Sequence, residues 1–212
     1  MNDKYLSVIT NFGCHYSCPY CIVKNNHLNI PKTTIHGLNN LFSEIVKNRC
    51  NWVSLSGGGD PLWKYEQHKD WYEKFFEIVD AAHVNTELHT SLHAVQGVSY
   101  SHFDRVVYHL HSLEQLYSIK RENCSIVRIV FVVTEDTINS IAVFCANSED
   151  IDELSFRQMV DNHYRETYYC HDYLKAGHKK LWWYIEQNDY NLYYCQNHVY
   201  TEYKNIGGDS NG

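Results

Sequence analysis

The chain has 212 residues, 44% of them hydrophobic and 20% charged, an ordinary globular balance and enough for one domain with a buried core. A formal charge of −7 argues against a broad phosphate-binding surface, because nucleic-acid modules are usually basic. No apolar run approaches the roughly 20 residues that cross a bilayer, and the start MNDKYLSVIT lacks the basic and apolar regions of a secretion signal, so a cytoplasmic protein is expected.

Residues 5–10 read as a strand that runs into a cysteine-rich loop. Leu38, Leu41, Phe42, Ile45 and Val46 then recur at helical spacing. A second strand over 52–56 ends in Gly57-Gly58-Gly59, and Trp71, Phe75, Phe76, Val79 and Ala82 line the face of a second helix. Strands follow over 84–91, 105–110, 126–134 and 153–160, with helical stretches near 112–120 and 136–147. Strands alternating with helices predict βαβ crossovers and a parallel sheet. Six such units make up three quarters of a β/α barrel, a fold whose reactive groups sit on loops at the C-terminal strand ends. The cysteine loop and the glycine run both fall at such ends.

Residues 1–160 are therefore expected to form the core, with 161–212 as an extension of the same domain. The last fifty residues hold ten of the eighteen tyrosines. They read as a helix over about 170–187 and a hairpin of 191–195 with 199–203. This aromatic extension is either a cap on an open sheet edge or a lid that stacks on substrate.

The eight cysteines read as thiols or metal ligands rather than disulfides in a cytoplasmic chain. Cys50, Cys124, Cys145, Cys170 and Cys195 are scattered singly, whereas three share the segment Gly13-Cys14-His15-Tyr16-Ser17-Cys18-Pro19-Tyr20-Cys21. Thiolates are the preferred ligands of iron–sulfur clusters. The spacing lets Cys14, Cys18 and Cys21 curl onto three irons of a 4Fe-4S cluster, with the fourth iron left open to a chelating small molecule. Two other readings stay open at this point. A structural zinc site wants four protein ligands, which calls on His15, whose side chain diverges from that of Cys14, or on a distant residue such as Cys50. The other reading is three unrelated buried cysteines.

CxxxCxxC after an N-terminal strand, with Tyr20 just before the third cysteine, resembles the radical S-adenosylmethionine (SAM) superfamily. Ser56-Gly57-Gly58-Gly59-Asp60-Pro61-Leu62 is similar to that family's Gly-Gly-Glu/Asp-Pro motif. The resemblance covers roughly residues 5–160 and implies an α/β fold, a partial (β/α)6 barrel of radical SAM type with a C-terminal aromatic helix and β-hairpin extension. It implies a 4Fe-4S cluster on Cys14, Cys18 and Cys21. It also implies SAM with its adenine beside Tyr20, its amino group at Gly57, Gly58, Gly59 and Asp60, and its ribose and carboxylate near Ser91, His109 and Arg157. Thr90 and Ser112 are neighbouring candidates, and His89 and His111 stand where substrate would lie. Glycine lets the backbone approach a ligand closely, so a side chain at Gly58 is expected to fill the methionyl space, and Asp60 can offset the ammonium charge.

The activity so implied is reductive cleavage of SAM to methionine and a 5′-deoxyadenosyl radical, which abstracts hydrogen from a small-molecule or nucleotide-derived substrate. Flavodoxin or ferredoxin is the implied electron donor. The alternatives are a radical-generating activase acting on a protein partner, or a zinc- or iron–sulfur-stabilised module without catalysis. Cys21 is followed by Ile22-Val23, not by the magnesium-binding threonine of the similarly small 7-carboxy-7-deazaguanine synthases.

Overall fold

The computed structural model describes residues 3–119, 121, 123–134, 140–141, 151–161, 163, 165, 171–177, 183–185 and 192–208. One sheet organises them. β1 (Tyr5–Thr10), β2 (Trp52–Gly57), β3 (Asn85–Thr90), β4 (Arg105–Leu110), β5 (Ile126–Val133) and β6 (Glu153–Gln158) pair in chain order, and every pairing is parallel. β7 (Trp183–Ile185) extends the β6 edge in parallel. β8 (Tyr193–Cys195) pairs in parallel with β1, at Ser7↔Tyr193 and Val8↔Tyr194, and β9 (His198–Tyr200) folds back antiparallel on β8. The nine-stranded order is β7-β6-β5-β4-β3-β2-β1-β8-β9. This is an α/β fold with a mostly parallel sheet.

The helices are α1 (Ile22–Asn25), α2 (Leu41–Asn48), α3 (Lys69–Ala82) and α4 (His171–Gly177). α2 buries Leu41 and Ile45, and α3 buries Trp71, Tyr72, Phe75 and Val79, the stripe that a 3.6-residue period places on one side. Both stop on a left-handed residue, Arg49 and His83, where the backbone turns back to satisfy the last carbonyls. No helix among the described residues is long and apolar enough to cross a membrane.

Two expectations change, and a third lies outside the described residues. The β3–β4 and β4–β5 crossovers carry 3-10 turns at Tyr100–His102 and Glu114–Ser118, so the stretch near 112–120 winds more tightly than an α-helix. The stretch 136–147 lies outside the described residues except for 140 and 141. The helix expected over 170–187 stops at Gly177, and Trp183–Ile185 is a strand. Aromatic and β-branched residues favour strands, and the edge of β6 offers an unpaired row of N–H and C=O groups that captures them.

The two sides of the sheet differ in kind. Leu6, Val53, Leu55, Leu88, Val106, Ile129 and Phe156 point one way and merge with α2 and α3 into the main apolar core. Their chain neighbours point the other way and include Ser7, Ser54, Glu87, His89, Arg105, Arg128 and Ser155, all buried. On that side Val107 and Val130 form an apolar contact separate from the main core.

Candidate functional site

The cysteine loop and the glycine run leave the C-terminal ends of β1 and β2, which are hydrogen-bonded neighbours. Two backbone bonds then join the loops. Gly58 N donates to Thr10 O at 2.7 Å, and Asp60 N donates to Gly13 O at 2.9 Å. The approach is close enough that a Cβ at Gly59 would lie 2.1 Å from Gly13 O, so only glycine fits there. A Cβ at Gly58 would lie 2.7 Å from the Ile30 side chain. That corrects the expectation for Gly58: its missing side chain makes room for Ile30.

Past Gly13 the cysteine loop is open to solvent. Cys14 is exposed, Cys18 and Cys21 are half-buried, and all three are free thiols. Burial, and then the neighbouring Cys14 and Cys21, push the Cys18 thiol up, so the three sulfurs already sense one another. Among the described residues no three Cys, His, Asp or Glu side chains are gathered as a metal-holding group. Cys50 sits in the apolar core and Cys195 is also buried, away from the loop, so Cys50 is not placed as a fourth ligand. Cys145 and Cys170 lie outside the described residues.

A cavity of about 690 Å³ opens at these strand ends, within the ~300–1,000 Å³ span of small-molecule sites. Its wall contains Cys14, Cys18, Cys21, Tyr20, Gly57, Gly58, Gly59, Asp60, Ser91, His109 and Arg157, whereas the neighbouring candidate Ser112 is not among its lining residues. Thr90, His89 and His111 line it as well.

The contacts refine several roles. Asp60 is 3% exposed, and its carboxylate accepts from Leu62 N, Thr90 Oγ1 and Ser91 N at 3.0, 2.8 and 2.7 Å. It therefore ties the glycine run to the end of β3. The Tyr20 hydroxyl, pushed up to about 12 by burial and then by Cys18 and Tyr16, is hydrogen-bonded to Nδ1 of His111. Burial, and then His15, lower His111. Gln115 holds the strand end by accepting from His111 N and Ser112 N while donating to Tyr16 Oη at 2.7 Å. His111 Nδ1 lies 3.9 Å from Cys18 Sγ. Arg157 has no ion pair or hydrogen bond among the described residues and faces His109 and Tyr193.

The C-terminal segment contributes wall residues that motif reading did not assign. Tyr193, Thr201, Glu202, Tyr203 and Lys204 line the cavity, and Tyr203 Oη donates to Gly57 O at 2.9 Å. The hairpin turn, Gln196 and Asn197, has two residues at positive φ, the twist that suits a two-residue hairpin. Asn197 fixes the turn by donating to His36 O at 2.8 Å and accepting from Asn40 N at 3.0 Å. The segment thus covers the β1 edge and walls the cavity, so cap and wall are one element. Of the aromatic residues expected there, Tyr164, Tyr168, Tyr169 and Trp182 lie outside the described residues.

No protein-family model matches the sequence, and no curated protein matches it. Solved structures do match the fold. Streptococcus suis SuiB bound to the precursor peptide SuiA aligns with 87% of this chain at a TM-score of 0.56 and 15% identity. SuiB bound to S-adenosylmethionine aligns with 87% at 0.53 and 16%. The matched region is 49% and 47% of those chains, so this chain spans about half their length. The chain shares with SuiB an α/β fold built on a mostly parallel sheet.

Proposed function

We propose that the chain is a radical SAM enzyme whose cavity binds a 4Fe-4S cluster and SAM at the ends of β1 to β6, the strands of a partial (β/α)6 barrel. The observation that carries this reading is the joining of the cysteine loop to the glycine run, Gly58 N to Thr10 O and Asp60 N to Gly13 O, around one cavity that collects all eleven candidates. The likeness to SuiB, which binds SAM, supports it.

The donor set suits the cluster. Cys14, Cys18 and Cys21 are free and are the only cysteines among the described residues lining the cavity, and three thiolates leave one iron for a small chelator. When bound, the cluster supplies the electron that breaks the C5′–S bond of SAM and yields the radical that takes hydrogen from substrate. The chain's own residues do the positioning. The backbone of Gly57 to Gly59 borders the methionyl end, while Asp60 acts through its hold on Thr90 and Ser91. Tyr20, fixed by His111, flanks the adenine. The guanidinium of Arg157, which lines the cavity, meets a carboxylate. Tyr193 and Tyr203 exclude water from the mouth, as large rings do at low conformational cost.

A small-molecule or nucleotide-derived substrate fits a cavity of this size. A peptide substrate is the second reading, favoured by the match to SuiB bound to a precursor peptide. The deciding experiment is anaerobic reconstitution with iron and sulfide, then incubation with SAM and dithionite. The expected results are about four irons per chain and formation of 5′-deoxyadenosine. Zinc binding with no 5′-deoxyadenosine would establish a non-catalytic module instead.

A further inference from the structure

Deeper along the inward face lies a group of charges that the chemistry above does not use. Glu87 is 0% exposed and pairs with Arg105 Nη1 at 2.7 Å and His89 Nε2 at 2.6 Å. Arg105 Nε also meets Glu153 at 2.9 Å, and Arg128 reaches the same carboxylate. Two carboxylates and two guanidiniums thus offset one another. Guanidiniums do not lose their protons in proteins. Burial by itself raises Glu87, but His89, Arg105 and Arg128 outweigh it and hold the carboxyl well below its usual range. Tyr5, which accepts from Arg105, is raised by burial and then by Glu87. Among the described residues at this depth, the histidines are the groups that can both take up and give a proton through a ring nitrogen.

Those histidines are linked. His89 Nδ1 lies 2.9 Å from Nε2 of His109, and His109 lines the cavity beside Arg157. The bonding pattern sets the tautomers. An ionised carboxylate only accepts, so His89 carries its proton on Nε2, toward Glu87. Neutral His89 then offers a lone pair at Nδ1, which takes the Nε2 proton of His109 and leaves His109 Nδ1 as a bare acceptor. Each ring is committed by the bond its other nitrogen makes.

We propose that Glu87, His89 and His109 form a proton relay that ends at His109 Nδ1 and carries one proton between the cavity and the buried floor. A substrate hydroxyl or ammonium gives its proton to His109 Nδ1, and His109 passes its Nε2 proton to His89 Nδ1. The substrate loses one proton, His109 ends neutral with its tautomer exchanged, and His89 becomes an imidazolium against Glu87. The reverse movement returns the proton. The surrounding charges send it inward: burial, then His89, Arg157 and His111, lower His109, whereas His89 has the Glu87 carboxylate beside it. His109 is the catalytic residue; Glu87 and His89 position it. The relay suits a ligand with a hydroxyl or amine donor next to an anionic group, the donor at His109 and the anion at Arg157.

This inference shares with the preceding section only the assignment of the cavity as the reaction site, and its test needs neither cluster nor SAM. The test is histidine side-chain 15N NMR on the full apo chain, with signals assigned by difference from His89→Gln and His109→Gln. Above neutral pH both rings should be Nε2–H tautomers. On acidification one proton should enter with a common midpoint seen at both rings and settle on His89. Glu87→Gln should lower that midpoint by about one unit or more, as expected for loss of an adjacent charge. In His89→Gln, His109 should stay neutral to at least about one unit below the wild-type midpoint. An Nδ1–H tautomer at His109 above neutral pH would overturn the relay, as would an unshifted midpoint in Glu87→Gln. If Glu87→Gln does not fold, His89→Gln decides, and protonation of its His109 at the wild-type midpoint counts against the relay.

Discussion

The two sides of the sheet are made by the same strands but under opposite constraints. On the helix side, Leu55, Leu88, Val106 and Phe156 are each 0% exposed and gain stability by leaving water, about 1.5–3 kcal/mol for each large side chain. On the cavity side, residues one position away, Ser54, Glu87, Arg105 and Ser155, are as deeply buried but polar. A polar group at that depth costs stability unless it is partnered. The Ser54 and Ser155 hydroxyls have no partner among the described residues, and the charges hold one another in place. One side maximises cohesion; the other gives some up to keep a chemically usable interior. If this division is right, substitutions on the two sides should fail in different assays.

The largest effect is expected where cavity-side residues serve the chemistry alone. Alanine at Cys14, Cys18 or Cys21 should abolish iron uptake on reconstitution, with little change in the urea midpoint. Alanine at Cys50 or Cys195 should do the reverse, keeping about four irons per chain while lowering stability. Loss of iron from a folded Cys50→Ala chain would break the division.

Next comes Phe156→Ala on the helix side, which should cost about 3–5 kcal/mol in chemical denaturation while leaving iron stoichiometry unchanged. Glu87→Ala should cost a similar ~3–5 kcal/mol, for the different reason that it removes the buried carboxylate paired with both His89 and Arg105. Acid separates the two. Glu87 is depressed in the fold, so it stabilises at pH above its unfolded value near ~4.3. That contribution fades as pH falls through the lower folded value. The gap between wild type and Glu87→Gln, measured by urea at several pH values, should therefore be widest above the carboxylate range and shrink in acid. The Phe156→Ala gap should show no such dependence.

The smallest effect is at the rim. Tyr203→Phe removes the bond to Gly57 O and should cost about 0.5–1.5 kcal/mol. Its sharper signature should be kinetic: a higher ratio of 5′-deoxyadenosine to product once a substrate is known. An unchanged ratio would make the C-terminal segment a cover for β1 and nothing more.

The legible parts of the molecule were those that local pattern decides. β1 and β4 appear over the residues expected, because alternation and β-branched composition mark them. The cysteine and glycine motifs converge because both follow parallel strands that pair directly. Features that depend on distant partners were not legible. Trp183–Ile185 follows a helical pattern in sequence, yet pairs with β6. Asp60 reads as a ligand contact, yet three protein donors occupy its carboxylate. The buried charges left only a partial trace: Glu87 and His89 stand two apart in β3, as Arg105 and Val107, and then Val107 and His109, do in β4. Polar residues on one face of a strand are compatible with a polar interior, but only the pairing register shows which charges meet.

The parallel pairing of β8 with β1 also orders events in time. Nearly the whole chain separates the two strands, so during synthesis β1 and the cysteine loop exist long before the strand that flanks them. Contacts so remote in sequence form slowly, and an unpaired β1 edge is meanwhile open to association with other chains. In the same interval the cavity lacks the wall that Tyr193 and Tyr203 supply. Closure of the β8–β9 hairpin then shields the edge and the mouth in a single step.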